Sequence, residues 1–207
     1  MVRYLGPKKK IINKFGNLPG LTQKVKREPQ TQQENEQNEQ KKSKASAYKI
    51  RLNEKQKLRY YYGVTEAQLI KYMKEARRRK GVTGFILIQL LEMRLDNIIF
   101  RLNLAPTIPA ARQIINHGHV FINNKRVNIP SFQCKPGDNI SFSTKNEIVK
   151  LLNSNFTNTS NVLLNLNSHL EFEPTKLICK VQDFVAEENL LFAFNDILVI
   201  EYYSRLI

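Results

Sequence analysis

The apolar pattern of this chain changes period once, and that change restricts the fold more than any other feature. Between residues 84 and 102, Leu87, Leu91, Leu95, Ile98 and Leu102 recur at steps of four, four, three and four, the spacing of one helix face. At Ile140 and Phe142 the period has become two, as in a strand with one face buried. A chain that is helical first and stranded afterwards reads as an α+β fold.

Local signals divide the pattern further. Residues 53–61 predict a short helix stopped by Gly63. Thr65 starts the next, with Gln68 three residues on to complete a capping box, and Gly81 ends it. Its apolar stripe is Leu69, Tyr72, Met73 and Ala76; Lys71, Lys74 and Arg78 fall on the opposite face. The periodic run predicts one helix over 84–102. Thr107 caps another over 108–117, with Pro109 in its first turn and Gly118 just past its end. Residues 119–129 predict a hairpin turning at Asn123-Asn124, because Asn tolerates the positive φ such a turn needs. Pro136-Gly137-Asp138 marks a second turn. From about residue 153 the chain is Asn/Ser-rich, and apolar runs at 176–185 and 190–203 predict strands or a terminal helix.

The N-terminal part differs in kind. In residues 1–27, Gly6, Pro7, Gly16, Pro19 and Gly20 predict an extended basic arm without helix. Residues 28–47, EPQTQQENEQNEQKKSKASA, lack the apolar surface to fold and predict a mobile linker. The expected organisation is an arm and linker over 1–47, a helical domain over 48–93 joined by the C-terminal segment 190–207, and a second domain over 94–189.

Charge supplies the first functional statement. The formal net charge of the 207 residues is +15. Residues 1–80 hold 22 basic and 7 acidic side chains, residues 81–150 net +4, and residues 151–207 net −4. A basic front end on a chain that can form a core reads as a polyanion binder. The sequence KYMKEARRRKG ends in four consecutive cations, Arg77, Arg78, Arg79 and Lys80, whose mutual repulsion phosphates would relieve. In LNEKQKLRYYYG, Lys55, Lys57 and Arg59 accompany Tyr60, Tyr61 and Tyr62, rings that could stack on exposed bases; one is expected to be buried, one at a helix interface and one available. Two helices and a hairpin over 94–138 would gather Arg101, Arg112, His117, His119, Lys125 and Arg126 near one surface, with Arg112 close to a helix start. Asp96, within RLDN, is expected to pair with Arg94 or Arg101.

Other functions find little support. The two cysteines, Cys134 and Cys179, form no CxxC and have no histidine at ligand spacing, so no zinc site is expected. Glu92, Arg94 and Asp96 cut the apolar run at 85–93 short of a membrane span. Phosphate-loop, dinucleotide, nucleophile-elbow and zinc-protease motifs are lacking. Neither an enzyme, a cofactor, a small-molecule substrate nor a membrane partner is expected.

The stretch RLDNIIFRLNLAPTIPAARQIINHGHVFINNKRVNIPSFQCKPGD resembles the S-four RNA-binding motif, shared by ribosomal, synthetase and pseudouridine-synthase proteins. RYLGPKKK, LPGLT, IRLNEKQKLRYYYGVTEAQLIKYMKEARRRKG, LLEMRLDN and IEYYSR extend the resemblance over nearly the whole chain, to the S-four family of small-subunit ribosomal proteins. LPGLT, TIPAARQ, NHGHV and EYYSR are similar to its plastid and cyanobacterial branch, and about twenty Asn with a similar number of Ile suggest an AT-rich organelle genome. The sequence departs from the family at residues 30–42, a Gln/Asn/Glu-rich insertion, and in 153–175, which match poorly. Asn103 and Asn124 stand where glycines are common, and the arm lacks the cysteine cluster of zinc-binding members.

The resemblance implies direct binding to a multi-helix junction in the 5′ domain of small-subunit ribosomal RNA, which nucleates assembly. It implies a neighbour, ribosomal protein S-five, near the mRNA entry region, with influence on decoding accuracy. The implied compartment is the plastid stroma, or a cyanobacterial cytoplasm. The implied RNA-binding residues are Arg3, Tyr4, Lys8, Lys9 and Lys10 in the arm, and Arg51, Lys55, Lys57, Arg59 and Tyr61 in the first helix. Lys71, Lys74, Arg77, Arg78, Arg79 and Lys80 follow on the second. Arg94, Arg101, Arg112, Gln113, His117, His119, Asn123, Lys125 and Arg126 complete the set in the motif.

Overall fold

Backbone caps decide where the elements begin. The computed structural model describes residues 4, 6–23, 46–158, 169–186 and 195–204. Arg3, Arg205 and residues 28–45 of the expected linker lie outside these. Helix α1 is Lys8–Phe15, α2 is Ala47–Tyr61, α3 is Glu66–Arg78, α4 is Thr83–Glu92, α5 is Leu95–Arg101 and α6 is Ile108–Asn116. Strands β1, Val120–Ile122, β2, Lys125–Val127, and β3, Asn139–Phe142, come next, then α7, Asn146–Asn158. Strands β4, Leu170–Glu173, and β5, Ile178–Val181, precede the last helix, α8, Asp196–Ser204. The fold is α+β.

Several expected signals act as read. The Thr65 hydroxyl accepts from Gln68 N–H at 3.3 Å while the Gln68 side chain accepts from Thr65 N–H at 3.1 Å. Thr107 accepts from Ala110 N–H at the start of α6. Asn123 and Asn124 both take positive φ, 48° and 65°, and close the β1–β2 hairpin. Asn103 follows α5 at φ 59°, the left-handed conformation that stops a helix.

Four expectations are corrected. The breakers of the arm bracket a helix instead of preventing one: Pro7, φ −69°, leads into α1, and Gly16 N–H donates to Ile12 O at its end. The helix gains its stability by burying Ile11 and Ile12. The first helix after the linker starts at Ala47, capped by Ser46, and not at residue 53. The single helix over 84–102 is two, because Arg94 is extended at ψ 139° and Leu95 and Asp96 N–H donate to Phe132 and Pro130 carbonyls. Finally, the Asn/Ser-rich start at 153 continues α7, which turns Leu152 inward and packs Ile148, Val149 and Phe156 on the core.

All pairings in the five-stranded sheet, order β2-β1-β3-β5-β4, are antiparallel. Two apolar clusters result. One joins α5, α6 and the sheet through residues such as Ile98, Ile115, Val120 and Cys179. The other joins α1, α2, α3, α4 and α8 through Leu58, Leu69, Leu91 and Tyr203.

Candidate nucleic-acid interface

The capping box sets the rotational phase of α3. Leu69, Met73 and Ala76 therefore turn inward, and Lys71, Lys74, Arg77 and Arg78 reach solvent, as do Arg79 and Lys80 beyond the helix end. Glu75 lies within this face and pairs with Arg78 at 2.9 Å and Arg79 at 3.1 Å. Their hydrogen bonds hold its carboxyl below the usual carboxylate range. This internal acid reduces the repulsion expected from the four consecutive cations. A groove of about 600 Å³ runs between the face and residues 131–133, and Lys71, Lys74, Arg78 and Arg79 line one wall. Gln133 fixes the other wall by donating to Leu90 O at 3.0 Å and pairing with Arg94 as a β-bridge.

A second polar surface lies at the end of α6 and the hairpin. Gln113, His117, Asn123, Lys125 and Arg126 are exposed there and His119 is half-buried. The His117 and His119 rings lie 6.0 Å apart, and Arg126 Nη2 donates to His117 O at 3.1 Å. Burial, then His117, Lys145 and Arg126, lower the pKa of His119. The Asn123 side chain staples the turn, donating to Asp138 and accepting from Asn139 N–H. Lys145 was absent from the expected set. Only tertiary register reveals it: Val120 pairs with Phe142, and Ser143 N–H donates to His119 O.

Three expected contact arginines are interior. Arg94 and Arg101 are each 1% exposed, and Arg112 is also buried. Arg94 grips both oxygens of Asp96, at 3.0 and 2.8 Å, and donates to Tyr72 OH at 2.6 Å. Arg112 reaches the same carboxylate at 2.7 Å and donates to the Gly63 and Tyr62 carbonyls. Arg101 goes to Glu92, at 2.8 and 2.5 Å, where Tyr62 OH also donates at 2.5 Å and Asn97 adds a further bond. Asp96 thus has Arg94 as expected, but its second cation is Arg112. Desolvating so many charges is tolerable only because each is paired. These arginines are committed to interior carboxylates and set the frame.

Tyr61 and Lys55 are interior as well. Tyr61 and Tyr62 are both buried, their rings 4.9 Å apart edge to face, and Tyr60 is the half-buried ring of the three. Lys55, also buried, donates to Glu66 at 2.8 Å. The clue is phase: Lys55, Leu58 and Tyr61 follow one helical stripe. Arg51 pairs with Glu201 at 2.5 Å and is half-buried, as are Lys57 and Arg59. Tyr4, Lys9 and Lys10 are exposed and Lys8 half-buried.

The ribosomal protein S4/S9 N-terminal domain family matches residues 3–92, and the S4 domain family matches residues 93–140. The small ribosomal subunit protein uS4c of Cyanophora paradoxa is 52% identical over 207 residues, 99% of this chain and all of that relative. The chain belongs to the ribosomal protein S4 family. A second S4 relative, uS4c of Chaetosphaeridium globosum, is 48% identical over 205 residues, and uS4 of Nostoc punctiforme 50%; each alignment covers 99% of both chains. Plastid and cyanobacterial S4 proteins therefore both stand near it. As an S4 protein it is a structural constituent of the small ribosomal subunit and not an enzyme.

Proposed function

We propose that the chain binds small-subunit ribosomal RNA directly, at a multi-helix junction of the 5′ domain, and nucleates assembly there. The cationic groove along α3 carries this reading. Its long side chains are exposed on a helix whose opposite face is locked in a core, so the charges are presented at fixed positions. A junction concentrates phosphates, and specificity comes from its shape and unpaired nucleotides, because the A-form major groove is closed to side chains. The RNA-binding set we propose is the solvent-reaching part of the expected one: Lys8, Lys9 and Lys10 of the arm, Arg51, Lys57 and Arg59 of α2, the cations from Lys71 to Lys80, and the hairpin residues with Lys145. The protein falls into two working parts, residues 48–93 with the C-terminal segment, and 94–189.

A protein neighbour is proposed on another face. Tyr48, 56% exposed, and Ile50 stand at the start of α2, where Tyr48 packs at 5.9 Å against Tyr202 of α8. Exposed apolar side chains suit a protein, and ribosomal protein S-five, near the mRNA entry region and with a bearing on accuracy, is the partner we assign. The plastid relatives support the plastid stroma as the compartment.

The test is footprinting and titration with 5′-domain RNA. One compact junction should be protected, and affinity should fall by roughly 10³–10⁵ between 50 and 200 mM salt if six to ten phosphates are contacted. Lys71→Ala with Lys74→Ala should lower the logarithmic salt slope by about 1 per phosphate lost. Uniform weak protection of the RNA, or an unaltered slope, counts against this reading.

A further inference from the structure

A second cavity, of about 510 Å³, lies apart from the α3 groove. Three distant segments build it: the arm, the α2–α3 turn and the first turn of α6. Tyr4 and Tyr60 supply aromatic surface, their rings edge to face at 5.3 Å. The Arg59 guanidinium lies over the Tyr60 ring at 4.8 Å, and Lys8 lines the wall. Two glycines make the walls meet. At Gly20 a Cβ would stand 2.5 Å from Tyr61 O, so the LPGLT turn presses on the end of α2. At Gly6 a Cβ would stand 2.5 Å from Tyr4 Oη, so the Tyr4 ring folds back over the arm.

The charges in the cavity sum in favour of an anion. Glu66 is the acid in the lining, and it is already engaged: Lys55 Nζ and Tyr203 OH both donate to it at 2.8 Å, with Arg59 at 3.8 Å. Burial opposes its ionisation, but these partners keep its pKa below the ordinary value. Arg112 is engaged by Asp96. Among the described residues Lys8 meets a backbone carbonyl, Leu21 O at 3.3 Å, and no carboxylate. Tyr4 is 43% exposed and has ring surface to offer. Aromatic rings beside Lys8, which meets no carboxylate among the described residues, and Arg59, whose carboxylate partner Glu66 is already held by Lys55, in a volume within the roughly 300–1,000 Å³ of ligand clefts, describe a receptor for a base and its phosphate.

We propose that this cavity receives one unstacked nucleotide of the bound RNA, with its base against Tyr4 and Tyr60 and its phosphate on Lys8 and Arg59. The proposal rests on the RNA-binding reading and goes beyond it, because the α3 groove holds backbone whereas this cavity reads a single extruded base.

The experiment is base-specific chemical probing of 5′-domain RNA with the full chain and with Tyr4→Leu and Tyr60→Leu. With the unaltered protein, one unpaired base should be protected. Both variants should lose that protection and about tenfold in affinity, with the salt slope unchanged and the rest of the footprint intact. Tyr4→Leu keeps the test sound should Tyr60→Leu unfold, since Tyr4 is exposed. Tyr60→Phe should retain the protection. Unchanged protection and affinity in Tyr4→Leu would overturn the proposal. So would tight occupancy by free nucleoside monophosphates that leaves the RNA footprint unaltered, which would assign the cavity to a free ligand. No footprint even for the unaltered chain would instead remove the RNA-binding reading itself.

Discussion

Glu92 shows how much a single buried carboxylate can organise. It takes Arg101, Tyr62 and Asn97 at once, with the Arg101 and Glu92 side chains each 1% exposed. Truncating Arg101 to Ala would strand that charge and should cost about 3–5 kcal/mol in denaturant unfolding. Arg101→Met with Glu92→Gln, which removes both charges, should recover most of the loss. His169, 3% exposed, gives a pH signature. Burial, then the nearby Arg101, lower its pKa from 6.5 to about 4. The unfolded chain therefore takes up this proton first as pH falls. The stability held in the neutral imidazole is whole above 6.5 and is lost between there and about 4, a loss on the order of 3 kcal/mol. Urea titrations across that window should show it, and His169→Gln should flatten the profile; an unflattened profile would place the effect in the carboxylates. At this scale the sequence was least informative. It displayed the charges of Arg94, Arg101 and Arg112 but not their burial, which depends on acids brought close by packing.

Elements were more legible, since caps and period are local. The Thr65–Gln68 box, the Thr107 cap and the Asn123-Asn124 turn could all be read directly because each acts over two to four residues. The hairpin turn is also the easiest to test. At φ 65°, a β-branched side chain crowds the backbone, so Asn124→Val should destabilise by about 1–2 kcal/mol in thermal unfolding. Asn124→Gly should be close to neutral. The break between α4 and α5 was hidden for the opposite reason. Apolar spacing runs through it unbroken, and the amides that open it bond to residues 130 and 132, far along the chain. Helix α1 is not legible locally because Pro7 and Gly16 read as interruptions, whereas they mark its two ends. In both cases a tertiary partner decided an outcome that local propensity left open.

Across the whole molecule, charge has two separate duties. Exposed cations on α3 and the hairpin face outward, and buried ones hold the apolar clusters together. Asp96 ties α5 and α6 to the neighbouring helices, since Arg112 links it to the α2–α3 turn through the Tyr62 and Gly63 carbonyls while Arg94 links it to Tyr72 on α3. The mutual placement of the cationic surfaces therefore depends on a carboxylate that no RNA can touch. Asp96→Asn removes the charge that both arginines neutralise, so the α2–α3 turn should loosen from α6. Hydrogen exchange should quicken at residues 62–66 and 108–116 more than in the sheet, and affinity for 5′-domain RNA should fall with the salt slope nearly unchanged. Lys71→Ala with Lys74→Ala should do the reverse, changing the slope and leaving exchange alone. If Asp96→Asn altered exchange without weakening RNA binding, the two surfaces would be acting independently, and the fixed frame would have no part in recognition.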